Sequence, residues 1–265
     1  MTTSETFQIS PEQAEIYEAR FVPALFAEWA PALVEAAGLE PGQSVLDVAC
    51  GTGIVTRTAA DRVGPTGALT GLDLNEAMLT VARGLRPDIT WRQGDVAALP
   101  FADGAFDAVL CQSALMFFPD ATGALREMGR VCKSGGVVGV QVFSTLDEQP
   151  AYGPWIEMVA GHVGPDAINL LGTYWVHGDL EQLSGRFSDA GLGAPNVTTR
   201  TGTARFGSID EFVLTEISST PLIDRITDEQ QERILADSRD VLARFAGPGV
   251  VELPLAGHLV VARKR

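Results

Sequence analysis

The residues best placed to do chemistry lie in Asp47-Val48-Ala49-Cys50-Gly51-Thr52-Gly53, which puts a carboxylate and two glycines where an apolar run gives way to an amphipathic one. Glycines at such a junction permit positive φ and let the backbone approach a ligand closely. A helix starting there offers free N–H groups and a positive field to an anionic group. Asp73 follows Gly53 by 20 residues, the place where α/β folds set an acid that accepts from two vicinal ribose hydroxyls. Gly94-Asp95 ends the next apolar run, where a carboxylate can accept from an adenine amino group. Gln112-Ser113 closes the fourth. All four features fall at C-terminal strand ends, where open α/β sheets bind ligands.

Two nucleotide folds are disfavoured by what is missing. The third fingerprint glycine of a dinucleotide turn is replaced by Thr56, and no Tyr-x-x-x-Lys pair follows. No Gly-Lys-Ser/Thr follows the glycines either, which excludes a P-loop. No metal-ligating cluster is legible.

Positioning these residues requires alternating strands and helices. Strands are expected at Ser44 to Ala49, Ala68 to Leu72, Ile89 to Gln93, Phe106 to Gln112 and Val137 to Phe143. Helices fall between them: Gly51 to Val63, then Glu76 to about Arg83 under an Asn75 cap, then one capped by Asp120. Ahead of the first strand, Ser10-Pro11-Glu12-Gln13 reads as a capping box opening a helix, and a second is expected from about Val22 to Ala37.

Beyond Phe143 the rhythm breaks. A helix from Asp179, a strand at 197–206 and a final strand from Val250 to Ala262 resume the sheet. Ser208-Ile209-Asp210-Glu211 and Thr227-Asp228-Glu229-Gln230 read as capping boxes, so 208–246 is expected to be helical. The expected architecture is α/β, a Rossmann-like doubly wound sheet of seven strands, mostly parallel with an antiparallel C-terminal strand. As one domain it divides into N-terminal helices at 1–38, a core at 40–145, cap insertions at 147–178 and 208–246, and sheet-completing segments at 179–206 and 250–265.

Bulk properties narrow the partners. An apolar fraction of 46% supports a real core. A net charge of −15 argues against nucleic acid, because phosphate binding needs clustered Lys and Arg. No apolar run approaches a membrane span, and Met1-Thr2-Thr3-Ser4-Glu5 does not resemble a signal peptide. Cys50, Cys111 and Cys132 sit in apolar runs without metal-type spacing, so free thiols in the cytoplasm are expected.

Several segments resemble motifs of class I methyltransferases. They are Val-Leu-Asp-Val-Ala-Cys-Gly-Thr-Gly at 45–53, Gly-Leu-Asp-Leu-Asn at 71–75, Gly-Asp-Val at 94–96, Leu-Pro-Phe-Ala-Asp-Gly-Ala-Phe-Asp-Ala-Val at 99–109 and Val-Cys-Lys-Ser-Gly-Gly at 131–136. The resemblance is closest to the ubiquinone/menaquinone-biosynthesis branch and covers roughly residues 40–145. It departs at Ala49, where many members carry Gly. It implies S-adenosyl-L-methionine as cofactor and S-adenosyl-L-homocysteine as product. The turn Asp47, Ala49, Gly51, Thr52 and Gly53 would then meet the methionine moiety, Asp73 the ribose and Leu74 the adenine. Gly94, Asp95 and Val96 would flank the adenine edge, with Met78 beside it or in the core. Backbone groups around Gln112 would hold the methionine end, and Tyr17 would close over the cofactor or pack as a core residue.

Methyl transfer from a sulfonium is an in-line displacement, so alignment supplies much of the acceleration. A general base is needed only if the acceptor sheds a proton. His162 and His177 are candidates; His258 is a weaker one, and Glu157, Glu211 and Glu216 are expected to be exposed helix carboxylates. Tyr152, Trp155, Ile156, Met158, Tyr174, Trp175, Phe212 and Leu222 would either line an apolar pocket or pack the cap. The expected acceptor is a small lipophilic or aromatic molecule methylated at oxygen or carbon, by a monomer or homodimer. The alternatives are a methyltransferase-like protein that binds cofactor without turnover, and a nucleotide-binding oxidoreductase.

Overall fold

The computed structural model describes residues 9–265; the N-terminal residues read above for a signal peptide lie outside these. Helix α1 (Pro11–Ile16) opens on the Ser10 capping box, with Ser10 and Gln13 exchanging backbone and side-chain bonds. The chain then widens into a π-helix, Tyr17–Phe26, before α2 (Trp29–Ala36). A single helix from Val22 is thereby corrected. Pro23 has no N–H to donate and crowds the preceding turn, and the Ala27 N–H reaches back five residues to the Val22 carbonyl at 2.8 Å.

Five strands follow, β1 (Ser44–Val48), β2 (Ala68–Asp73), β3 (Thr90–Gln93), β4 (Phe106–Gln112) and β5 (Cys132–Phe143). They alternate with α3 (Ile54–Val63), α4 (Glu76–Leu85) and α5 (Ala121–Val131). The pairs β1–β2, β1–β4, β2–β3 and β4–β5 are all parallel. Such pairing needs crossover helices, and α3 packs on β1 and β2 while α5 packs on β4. The expected caps form: Asn75 accepts from Ala77 and Asp120 from Gly123. Helix α3 begins later than expected, at Ile54, because Ala49, Gly51 and Gly53 all take positive φ and keep the turn out of the helix.

The remaining elements are α6 (Tyr152–Val163), α7 (Asp166–Leu171), α8 (Leu180–Asp189), β6 (Asn196–Phe206), α9 (Ile209–Ser218), α10 (Asp228–Val241), β7 (Ala246–Gly247) and β8 (Val250–Arg263). The sheet runs β3-β2-β1-β4-β5-β8-β6, and the short β7 pairs antiparallel with β8 as an eighth strand. Hydrogen bonds joining Gly135 to Lys264 and Ser144 to Ala256 run in opposite directions along the two chains, so β8 is antiparallel to β5. Thr227 and Gln230 form a full capping box. At Ser208 only half forms, because the Glu211 carboxylate accepts from Gly207, one residue earlier.

By contacts the chain divides into two compact units. The first comprises the described residues to Gln141 with 181–198 and 259–265; the second comprises 142–180 and 199–258. The first is cored by the apolar faces of β1 and β4, with Val45, Leu46, Val109 and Leu110 fully buried. The second is cored by aromatic rings, among them Tyr152, Trp155 and Phe212.

Candidate functional site

At the C-terminal end of β1 the chain turns through Ala49 (φ 53°), Gly51 (φ 55°) and Gly53 (φ 90°). Gly53 is required twice over: its φ lies in the left-handed region, and a methyl group there would overlap the Trp91 ring. Trp91 lies directly across from Gly71 in the β2–β3 register and fills the space that glycine leaves. Its indole N–H donates to the Arg86 carbonyl at 2.8 Å. A glycine inside a strand was the available sign of this close approach.

Asp47 is buried beneath the turn, where one carboxyl oxygen accepts from both the Thr56 N–H (2.9 Å) and the Thr56 hydroxyl (2.6 Å). It therefore holds the first turn of α3 from within. Burial is the dominant influence on its acidity and raises it to about 7; the Thr56 bonds oppose that and the nearby Asp73 charge adds to it. Asp73, at the end of β2, accepts from the Gly51 N–H with one oxygen and from the Asn75 N–H with the other, each at 2.8 Å. Burial raises its carboxyl too, against the pull of those backbone donors. Burial pushes the Cys50 thiol up as well, with both aspartates adding to the effect, so it stays neutral.

An unanticipated ion pair braces the turn from the N-terminal side. Arg57 of α3 binds the Glu18 carboxylate at 2.8 Å and the Thr52 carbonyl at 2.6 Å. Glu18 belongs to the π-helix that also carries Tyr17, whose ring lies beside Gly51 and stacks with Phe21 and Phe26. Gln112 ends β4 and donates to the Phe26 carbonyl at 3.0 Å. Its own amide oxygen, the Thr52 hydroxyl and one Glu18 oxygen are buried without a hydrogen-bond partner. Native proteins leave few such atoms.

The adenine-side candidates divide. Leu74 is 47% exposed, and Asp95 is exposed with one oxygen capping a short turn through the Ala97 N–H. Val96 is buried beside it, and Gly94 donates to the Asp73 carbonyl at 3.0 Å. Met78 is buried on the inner face of α4. Tyr17, the Asp47–Gly53 turn and Asp73 are thus brought together within the first unit, and Gln112 is tied to them through Phe26.

The second unit holds the base candidates. The His162 ring is engaged with Asp237 of α10 at 2.8 Å, and Gln230 donates to its carbonyl. His177 is half-buried in the turn ahead of α8. His258 is buried, its ring nitrogens bonded to the Thr199 hydroxyl (2.8 Å) and the Gly178 carbonyl (3.1 Å), and desolvation lowers its pKa. Glu216 corrects the expectation of an exposed carboxylate. It is 4% exposed, accepts from the Tyr152 hydroxyl at 3.0 Å, and burial raises it to about 7. Its place on α9 between the buried Phe212, Val213 and Ile217 is the periodicity that marks this inner face. Among the described residues, no group of three or more His, Cys, Asp and Glu could hold a metal ion, and no helix is long and apolar enough to cross a membrane.

A mostly parallel sheet with a glycine turn after β1 and an acid ending β2 has a Rossmann-like fold. Residues 46–140 match the family model described as "Methyltransferase domain". Among curated proteins the chain is similar to demethylmenaquinone methyltransferase of Renibacterium salmoninarum, 43% identical over 128 residues, 48% of this chain and 51% of that one. It is also 41% identical over 123 residues to the ubiquinone/menaquinone biosynthesis C-methyltransferase UbiE of Legionella pneumophila, covering 44% of this chain and 49% of that one. The chain thus spans about half the length of the curated relatives it matches.

Among solved structures, the YcgJ protein of Bacillus subtilis superposes with a TM-score of 0.60 at 18% identity, covering 90% of this chain and 98% of that one. A phosphoethanolamine N-methyltransferase of Haemonchus contortus, solved with S-adenosylhomocysteine, gives 0.60 at 16% identity, covering 100% and 61%. The [4+2]-cyclase SpnF gives 0.53 at 21%, covering 90% and 80%. These likenesses show the fold alone, and the last is a reminder that one fold hosts different reactions.

Proposed function

We propose that the protein transfers a methyl group from S-adenosyl-L-methionine to a small lipophilic or aromatic acceptor, at oxygen or carbon. The observation that carries this reading is that the family-matched segment contains the whole linked constellation from Asp47 to Gln112, together with buried acceptors lacking partners at Thr52 and Gln112. A polar ligand entering there would satisfy atoms that the fold itself leaves unsatisfied. In this reading Gly51, Thr52 and Gln112 hold the methionine end and Asp73 the ribose. Leu74, Gly94, Asp95 and Val96 border the adenine, with Met78 behind them. Asp47 and Ala49 shape the turn, and Tyr17 closes over it.

The cofactor supplies a methyl group made electrophilic by a sulfonium. The chain's own task is to fix the turn, exclude water with the Tyr17–Phe21–Phe26 ring stack, and select the acceptor. We assign acceptor selection to the second unit, which contains both insertions, 147–178 and 208–246. The similarity of half the chain to quinone-pathway methyltransferases supports an aromatic acceptor. The protein is proposed to work in the cytoplasm as a monomer or homodimer, which fits three buried free cysteines. Calorimetry with S-adenosylhomocysteine tests the reading: micromolar binding is expected, and binding of NAD(H) instead would replace it with an oxidoreductase.

A further inference from the structure

Among the described residues, two non-glycines take positive φ, Ala49 (53°) and Ser113 (48°). Each directly follows the last residue of a strand, β1 or β4, and these strands are neighbours in the sheet. A side chain in this region is uncommon. Such strain persists where the surroundings over-determine it, most often at functional sites. Ser113 is held by a single residue: its N–H donates to the Gln141 carbonyl at 2.9 Å, and its hydroxyl donates to the Gln141 amide oxygen. Both residues are buried, Gln141 completely. Taken alone, that bond would satisfy a buried hydroxyl and nothing more. The second observation is independent of it: the Gln141 amide nitrogen is buried without a partner, in a strand whose Val137, Val138, Val140 and Val142 are also buried. An apolar side chain would suit such a core better. The glutamine is therefore kept for its oxygen, and that oxygen goes to Ser113.

We propose that Gln141 is a positioning residue for cofactor binding: it clamps Ser113 in the left-handed conformation and so fixes the backbone that leaves β4 through Gln112, Ser113 and Ala114. This deepens the methyltransferase reading and rests on it, since that reading gives the methionine end to the groups around Gln112. Gln112 lies opposite Gln141 in the β4–β5 register and is itself tied to the π-helix through the Phe26 carbonyl. The segment is thus anchored on both sides, to the N-terminal helix by Gln112 and to β5 by Ser113. All of these residues belong to the first unit. Without the clamp, Ser113 relaxes toward negative φ, where its side chain is unstrained, and the peptide groups on either side of it rotate. With it, the backbone is preorganised and the ligand bears no cost of ordering it.

Calorimetry with S-adenosylhomocysteine on the full chain tests the clamp, first with two substitutions of Ser113. Ser113→Ala and Ser113→Gly both lose the hydroxyl, but only alanine needs a clamp to hold positive φ. The alanine variant is expected to bind about tenfold more weakly or worse, and the glycine variant to stay within about threefold of wild type. Gln141→Leu should also lose about tenfold, and adding Ser113→Gly to it should recover most of that loss. A glutamine that merely filled the core would give no such recovery, because the glycine restores no packing. Equal affinities in the two Ser113 variants, wild-type affinity in Gln141→Leu, or a double variant no tighter than Gln141→Leu would each overturn the proposal. The Ser113 pair decides it if Gln141→Leu fails to fold. A wild-type protein that does not bind S-adenosylhomocysteine would instead sink the methyltransferase reading, and this inference with it.

Discussion

The Gly51 N–H donates to the Asp73 carboxylate at 2.8 Å, so the turn after β1 is tethered to the acid that ends β2. Asn75 donates to the other oxygen and the Leu74 backbone also acts on the carboxyl as a donor, which leaves about one of roughly four acceptor positions for a ribose hydroxyl. Asp73→Ala removes tether and acceptor together. It is expected to abolish S-adenosylhomocysteine binding in calorimetry. Asp73→Asn keeps one oxygen but sets an amide N–H against a backbone donor, so a loss of at least tenfold is expected. Unchanged affinity in the alanine variant would remove Asp73 from the site.

Gly53 and Trp91 give a stability prediction. Gly53→Ala places a methyl group at φ 90° and against the Trp91 ring. The backbone term alone costs about 1–3 kcal/mol, and the overlap adds to it. A fall of several degrees in thermal midpoint is expected. Trp91→Ala should relieve the overlap and leave the backbone term, so the double variant should lose less than the two singles combined. Strict additivity would mean the ring does not meet that position.

His162 was a candidate base by residue type, yet its ring is committed to Asp237 on α10 at 2.8 Å. That places it in the packing of α6 on α10. His162→Gln is expected to leave methyl-transfer turnover within twofold of wild type while lowering the thermal midpoint slightly. A large fall in turnover at unchanged stability would restore a catalytic role.

Much of the first unit was legible because its signals are local. The caps at Ser10, Asn75 and Asp120 follow from side chains two or three residues from the donors they satisfy. The glycine turn and Asp73 follow from strand ends. The π-helix was not legible, since Pro23 alone says that a helix is disturbed and not how. Trp91 over Gly71, Arg57 on Glu18, and Glu216 under Tyr152 join residues far apart in the chain. Periodicity placed Glu216 on a helix; only the packing of α6 and α9 made it a buried acid.

That burial has a consequence in pH. Asp47 and Glu216 rise from ordinary values of 3.8 and 4.5 to about 7, in each case through desolvation. Between those limits the folded protein keeps protons that the unfolded chain has released. The unfolded state then binds fewer protons, so stability falls as pH rises from about 4 to about 7 and levels off above. Asp47→Asn retains an oxygen for both Thr56 donors, and Glu216→Gln retains one for Tyr152. Each therefore removes a titration while sparing the bond. Scanning calorimetry from pH 5 to pH 8 should show each variant gaining on wild type as pH rises. Repulsion from the net charge of −15 is nearly common to all three proteins and drops out of the difference. A difference flat in pH would show that these carboxyls do not titrate as buried acids, and the tight enclosure of Glu216 by the aromatic rings would then have to be abandoned.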